Sequence, residues 1–121
     1  VVVCKWLDLI GLTYYAIPNG SNKSLTAQRK FKAEGLKAGV PDLCILQEGG
    51  KSLYIEMKRK KGGVVSKEQK HWHTQLKSLG FNVHVCKGAE DAISTIEKYL
   101  PSNKQKINDK QSTIYDVLEK N

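Results

Sequence analysis

The chain has 121 residues, of which 40% are hydrophobic and 26% charged, and its formal net charge is +8. This length suits one domain with a real core, and the composition excludes wholesale disorder. No apolar run approaches the roughly 20 residues that a membrane-spanning helix needs. The positive charge favours a polyanionic partner, of which nucleic acid is the commonest.

Helical and extended patterns alternate along the chain, which predicts an α/β fold with a mixed central sheet and helices packed against it. Ser24 can cap the second helix, and Ser66-Lys67-Glu68-Gln69 matches the S-x-x-Q capping box of the third. The predicted elements are helix 1–11, strand 13–17, a turn at 18–20, helix 25–33, strands 43–47 and 52–58, helix 66–79, strand 81–86, helix 90–100, a lysine-rich linker over 101–110 and a short helix over 114–118. In helix 66–79, the face expected to point inward carries Gln69, Trp72, Leu76 and Leu79.

The three cysteines, Cys4, Cys44 and Cys86, lie far apart and form no C-x-x-C pair. The sequence therefore supports neither a disulfide framework nor a zinc knuckle. Cys44 and Cys86 fall in strand-like runs, where a small buried thiol is expected. We therefore expect a protein of a reducing cytoplasm.

The loop between strands 43–47 and 52–58 decides which side chains face each other across the hairpin. A two-residue Gly-Gly turn would put Asp42 opposite Met57, whereas a three-residue Glu-Gly-Gly loop would put it opposite Glu56. The three-residue register gathers the aliphatic side chains of both strands on one face and leaves the polar ones on the other. We therefore predict this register, with Gly50 in the left-handed conformation. The aliphatic face then holds Leu43, Ile45, Leu53, Ile55 and Met57, and the other holds Asp42, Cys44, Leu46, Ser52, Tyr54, Glu56 and Lys58.

In this register the Asp42 and Glu56 carboxylates face each other with carbons roughly 5 Å apart. Two close carboxylates repel each other unless a cation compensates them, and Mg²⁺ prefers such hard oxygen ligands. Lys58, on the same face, could stabilise negative charge or lower the pKa of a water. The array suggests metal-assisted hydrolysis of a phosphodiester, although a bare E-x-K pair is usually an ordinary exposed strand pair.

Pro41-Asp42 followed by Glu56-Met57-Lys58 resembles the PD-(D/E)XK nuclease motif. More narrowly, the ordered set resembles the VRR-NUC subgroup, in which a G-x-P-D-L, an E-x-K and an S-x-x-Q occur in this order. These correspond to Gly39-Val40-Pro41-Asp42-Leu43, Ile55-Glu56-Met57-Lys58 and Ser66-Lys67-Glu68-Gln69, the last followed by Trp72 and Leu76. The resemblance runs from about Trp6 to Ala92, so we place a nuclease-like domain at 1–100 and a linker with a short helix at 101–121.

The resemblance implies a metal-dependent nuclease with a restriction-endonuclease-like core. Asp42 and Glu56 would bind Mg²⁺ or Mn²⁺, together with the backbone carbonyl of Met57. Lys58 would orient or activate the attacking water, and Gln69 would approach the site from its helix. Small stand-alone members, often of phage or bacteria, are similar to structure-selective endonucleases that cut branched DNA, such as four-way (Holliday) junctions or flaps, as homodimers.

The chain departs from the family pattern at the first helix, where a glutamate usually completes the metal site. Here that helix carries only Asp8. By alignment the glutamate should lie upstream of Val1, so it is either absent from this chain or replaced by Asp8, and we favour its absence. A chain without this glutamate is expected to bind metal weakly and to cleave poorly.

Seven further residues are expected to contact nucleic acid. A run of basic residues is usually just a solvated surface, but next to a phosphodiester site it is expected to follow the backbone. Asn19 could equally be a plain turn residue and Gln69 a plain capping residue, and His71, His73 and His84 are expected at the surface or in packing. The expected contacts are Asn19, Arg29, Lys30, Arg59, Lys60, Lys61 and Ser66.

Two alternatives to a DNA endonuclease stay open. A degenerate or truncated nuclease could bind nucleic acid without cutting it, and an RNA-processing nuclease could use the same site, since that site can cut either backbone.

Overall fold

The computed structural model describes residues 2–18 and 24–100. Within them, four helices and four strands alternate as predicted. In chain order they are α1 (Val2–Leu9), β1 (Tyr14–Ala16), α2 (Leu25–Ala33), β2 (Leu43–Gln47), β3 (Lys51–Lys58), α3 (Lys67–Ser78), β4 (Asn82–Lys87) and α4 (Ala89–Glu97), with a 3₁₀ turn at Glu48–Gly50 between β2 and β3.

The predicted bounds of α2 and β2 are met, and the other elements begin or end one to three residues from prediction. Shifts of this size are expected because element ends fray and are set by caps and turns. The predicted linker over 101–110 and the short helix over 114–118 lie outside the described residues.

The four strands form one mixed sheet in the order β1-β2-β3-β4. The β1/β2 and β2/β3 pairs are antiparallel, and the β3/β4 pair is parallel. A parallel pair needs a crossover connection, and here α3 supplies it. The α/β prediction, a mixed sheet flanked by helices, is confirmed.

The main core lies on one face of the sheet, beneath α1 and α4. The predicted aliphatic face of β2 and β3 forms its floor, and Met57 packs against its margin. Helix α1 contributes Trp6 and Leu7, which are 2% and 0% exposed. The period-two alternation of the hairpin thus places the aliphatic side chains under two helices and leaves the opposite face for polar residues.

Helix α3 packs against β4 and reaches the polar face of the sheet. The prediction for its inward side was wrong in part, because Leu79 is 72% exposed. Leu79 is the C-cap residue, where the chain leaves the helix through Gly80 at φ +93°. The buried positions of the helix are Gln69, His73 and Leu76.

Across 2–18 and 24–100, no helix combines the length and apolar character that crossing a bilayer requires.

Candidate active site

The β2–β3 hairpin has the predicted three-residue register. Gln47 pairs with Lys51 and Leu43 with Ile55, where the regular pairing ends. The Asp42 N–H donates to the Ile55 carbonyl at 3.1 Å, one residue away from the regular register, so the ladder is irregular at Asp42. The carboxyls of Asp42 and Glu56 still lie close enough to interact through a hydrogen bond and through their charges. The turn uses two left-handed glycines, since Gly49 as well as the predicted Gly50 has a positive φ.

The Asp42 carboxylate is anchored to the backbone of the neighbouring strand. Its Oδ2 accepts a hydrogen bond from the Met57 N–H at 2.7 Å. Backbone groups of alternate strand residues point the same way, so the Met57 carbonyl points to the same side as that of Ile55, towards Asp42. A carboxylate and a backbone carbonyl therefore converge at the end of β2.

Glu56 is the most unusual acid of the domain, because its side chain is buried at 1% exposure. Burial, followed by the hydrogen bond and the charge of Asp42, raises the pKa of Glu56 from 4.5 to about 8, against the opposing effect of Lys58. Glu56 therefore holds a proton at neutral pH when nothing else compensates its charge.

His73 of α3 lies against Glu56, with 3.7 Å between its Nε2 and the Glu56 Oε1. His73 is buried, and within the described parts of the chain neither of these two atoms has a hydrogen-bond partner. Burial, with Lys77 and then Lys58, lowers the pKa of His73, which favours the neutral imidazole. The sequence interpretation assigned His73 to the surface or to packing and missed this contact. The available signal was its spacing of four from Gln69, which places both on one helix face.

Gln69 takes part in the predicted capping box at the start of α3. Its Oε1 accepts from the Ser66 N–H at 2.8 Å, and the Ser66 Oγ accepts from the Gln69 N–H at 3.2 Å. Gln69 is also buried, on the helix face that carries His73. The capping interpretation is therefore confirmed, and the two N–H donors of the carboxamide lie outside the capping pair.

Gly39 lets the loop before Asp42 approach α3. It is buried with φ +88°, and a Cβ at this position would lie 2.5 Å from the Glu68 backbone carbon. The first glycine of the G-x-P-D sequence therefore docks the Asp42 loop on the first turn of the helix that carries Gln69 and His73. This close approach ties the two halves of the site together.

The predicted nucleic-acid contacts lie mainly in the basic segment that begins at the end of β3. Lys58 is half-buried on the Glu56 face, and the following Arg59, Lys60 and Lys61 are exposed. Their positions suit contacts with phosphates. The exposed residues of α2 include Arg29 and Lys30, Ser66 is exposed while its hydroxyl caps α3, and Asn19 lies outside the described residues.

Asp8 does not join the acids of the site. Its Oδ1 accepts from the Tyr14 hydroxyl at 2.9 Å, and Tyr14 pairs with Ile45 on the aliphatic face of the sheet. Asp8 is therefore held on the face opposite Glu56, and its substitution for the family's helix glutamate is not supported. Among residues 2–18 and 24–100, no three His, Cys, Asp or Glu side chains are grouped to hold a metal.

The remaining donors still fit a small hard cation. Asp42 and Glu56 present carboxylate oxygens across adjacent strands, and the Met57 carbonyl points to the same side. Such a cation would compensate the burial of the Glu56 carboxylate and its repulsion by Asp42, the two effects that raise its pKa. Water molecules and phosphate oxygens commonly complete the coordination of Mg²⁺, so two protein carboxylates suffice in chemical terms.

A mixed sheet in which β3 carries E-x-K, and the aspartate of P-D precedes the neighbouring strand β2, is the arrangement expected of an α/β domain of the PD-(D/E)XK nuclease type. The family model of the VRR-NUC domain matches residues 5–90, so the chain belongs to this nuclease-domain family.

Two known structures are similar to this chain. A VRR-NUC domain protein is 31% identical with a TM-score of 0.60, and the match covers 72% of this chain and 66% of that one. A second VRR-NUC domain has a TM-score of 0.59 over 82% of this chain and 90% of its own, and at 17% identity it shows the fold alone. The chain thus spans just under two thirds of the first structure. No curated protein matches it.

Proposed function

We propose that this domain is a divalent-metal-dependent endonuclease that hydrolyses phosphodiester bonds in DNA. The observation that carries the proposal is the interaction of the Asp42 and Glu56 carboxyls, with Lys58 on the same strand face as Glu56. Strands that only build a core have no use for a buried carboxyl whose pKa is raised to about 8. A perturbed acid beside a second acid is typical of functional sites.

Asp42, Glu56 and the carbonyl of Met57 would hold Mg²⁺ or Mn²⁺. A bound cation of this kind supplies Lewis-acid charge that stabilises a phosphodiester under attack. The chain's own part begins with Glu56, which must release its proton before its oxygens can bind a cation. Asp42 is already held in place through its bond to the Met57 N–H.

Lys58 would orient the attacking water and offset negative charge that develops on the phosphate. Its pairing within the parallel β3/β4 ladder fixes its backbone, since the Lys58 carbonyl accepts from the Gly88 N–H at 2.9 Å. The carboxamide of Gln69 would contact the substrate or a water from α3. These roles rest on placement and on the family's pattern.

The preference for branched DNA and the action as a homodimer are the finer parts of the proposal. The exposed Arg59, Lys60 and Lys61 support binding to phosphates, which gives affinity without sequence preference. Cutting a four-way junction symmetrically needs two active sites, which a pair of these domains would provide. The three free cysteines fit a reducing compartment. The family resemblance suggests the cytoplasm of a bacterium or of a phage-infected cell as the setting.

The first test offers labelled four-way junction, flap, duplex and single-stranded DNA to the protein with Mg²⁺, Mn²⁺ or EDTA. Lys58→Ala is the test variant, and Lys51→Ala, at the exposed opposite end of β3, is its matched control. We expect cutting of the branched substrates that EDTA and Lys58→Ala abolish and Lys51→Ala leaves intact. Equal cutting by Lys58→Ala would remove Lys58 from the mechanism.

A second candidate is a nucleic-acid-binding domain without activity. The observation that favours it is the pairing of Asp8 with Tyr14, which leaves two acids at the site among the described residues. Tight binding to the same DNA without cutting in either metal would select this candidate. Cutting of an RNA strand in preference to DNA would select an RNA-processing nuclease instead.

A further inference from the structure

The Glu56–His73 pair has a geometry that simple packing does not explain. Two buried polar atoms, the Glu56 Oε1 and the His73 Nε2, face each other at 3.7 Å, and neither has a hydrogen-bond partner in the described chain. Buried polar groups nearly always find partners, because leaving one unpaired destabilises the fold. This pair therefore calls for a state in which the two atoms are satisfied.

The carboxylate has two oxygens with separate surroundings. Oε1 faces His73, so the interaction of Glu56 with Asp42 on the next strand is left to Oε2. The 3.7 Å between the two atoms is longer than the roughly 2.7–3.2 Å of a hydrogen bond, so an approach of about 0.5 Å would form one. A bond from an imidazole N–H to a carboxylate oxygen is charge-assisted, and such bonds are shorter and stronger than neutral ones.

We propose that His73 is a positioning residue for Glu56: its Nε2–H donates to Oε1 and so reserves Oε2 for the cation beside Asp42. The inference rests on the proposed metal-dependent function and adds to it a residue that holds a ligand from the helix side. In a neutral imidazole one ring nitrogen is the donor, and here that nitrogen is Nε2. Helix α3 thus supports the metal ligand as well as covering the sheet.

The test measures the affinity of the full chain for Mn²⁺ by calorimetry, so that it does not depend on cleavage. His73→Leu keeps an apolar side chain but removes the donor, and His73→Gln keeps an N–H near the Nε2 position. His71→Leu and His71→Gln, on the exposed side of the same helix, are the matched controls. If His73→Leu fails to fold, as judged by circular dichroism, His73→Met replaces it.

We expect His73→Leu to weaken Mn²⁺ binding by about 10- to 100-fold, as is usual for a lost partner of a metal ligand. His73→Gln should recover most of that loss, and both His71 variants should bind as the parent does. Mn²⁺ binding by His73→Leu that equals the parent's would overturn the inference. A His73→Gln variant as weak as His73→Leu would also overturn it, because the donor would then not be what matters.

The same titration separates this inference from the proposed function. Asp42→Asn is included in it, because Asp42 is expected to bind the cation directly. If the parent binds no Mn²⁺, or if Asp42→Asn binds as well as the parent, the proposed metal site fails and the role of His73 falls with it. If Asp42→Asn loses Mn²⁺ and His73→Leu does not, the inference about His73 fails alone.

Discussion

At the scale of single residues, the site is governed by the cost of burying Glu56. Its carboxyl is 1% exposed and faces Asp42, so its pKa rises to about 8. A group with a raised pKa binds more protons in the folded state than in the unfolded chain. Proton binding by Glu56 is thus coupled to folding and, in the proposed function, to the binding of a cation.

The first prediction concerns pH. Between pH 4.5 and about 8 the folded protein keeps a proton on Glu56 that the unfolded chain has released, so this stabilisation is lost as the pH rises through about 8. His73 and His84, whose pKa values are lowered from 6.5, act in the opposite sense only below that value. We expect the free energy of unfolding of the metal-free protein to fall from about pH 6.5 to about pH 8.5, and Glu56→Gln to remove most of this slope.

Urea unfolding of both proteins across this range checks the prediction. Saturating Mn²⁺ should flatten the slope of the parent, because the cation replaces the proton on Glu56. A parent and a Glu56→Gln variant with the same pH dependence would show that Glu56 titrates normally.

The second prediction concerns Gly39. Gly39→Ala combines a left-handed φ, which costs about 1–2 kcal/mol, with a clash against the Glu68 backbone, for which overpacking costs about 1–3 kcal/mol more. Gly35→Ala is the matched control, because Gly35 also has a positive φ but a Cβ there would meet nothing within 4 Å. Denaturant midpoints should show the larger loss for Gly39→Ala, and equal losses would contradict the close contact.

At the scale of elements, α3 is the helix that places a buried side chain against Glu56 of the sheet. Its capping box is complete, and its buried face carries Gln69 and His73. By contrast, Ser24 caps α2 through a bond to the Ala27 N–H, and the first residue of that helix, Leu25, is 64% exposed. The two caps are chemically similar but support helices with different amounts of packing.

The third prediction compares these caps. Ser66→Ala should cost about 1 kcal/mol of stability, because its helix cannot fray without exposing the site. Ser24→Ala should cost less, because an exposed helix can open locally while the rest of the domain stays folded. Thermal unfolding measures both, and a greater loss for Ser24→Ala would mean that α2 is better packed than its exposure indicates.

At the scale of the whole molecule, the net charge of +8 sets how the domain meets a polyanion. Part of it is concentrated in Arg59, Lys60 and Lys61, which directly follow the active-site strand. Lys5 and Lys98 are also exposed. Lys5 lies in α1 and Lys98 follows α4, and both helices cover the other face of the sheet. For the binding of a polyanion, the location of the basic residues therefore matters more than how many there are.

The fourth prediction uses this difference in position. Removing Lys61 by substitution with alanine should reduce the slope of log K for DNA against log salt by about 0.9, as expected for one lost phosphate contact. Lys5→Ala changes the net charge equally and should leave the slope nearly unchanged. Fluorescence anisotropy at several salt concentrations gives both slopes, and equal slopes for the two variants would indicate diffuse attraction without a defined path.

The amino-acid sequence by itself determined the features that depend on near neighbours in the chain. The capping box at Ser66 joins residues three apart. The hairpin register follows from period-two alternation and a three-residue turn, so the pairing of β2 with β3 could be given in advance. The nuclease family followed from the same ordered motifs.

Only the tertiary structure decided the features that depend on how α3 docks on the sheet. Two of these features are contacts between segments far apart in the chain: His73 with Glu56, and Gly39 with Glu68. The third is the exposure of Leu79 at the end of α3. Helical periodicity indicates which residues share a face but not which of two adjacent faces is pressed against the sheet. That choice is made by packing across the whole domain, and it brought the histidine, and not the last leucine, to the buried acid.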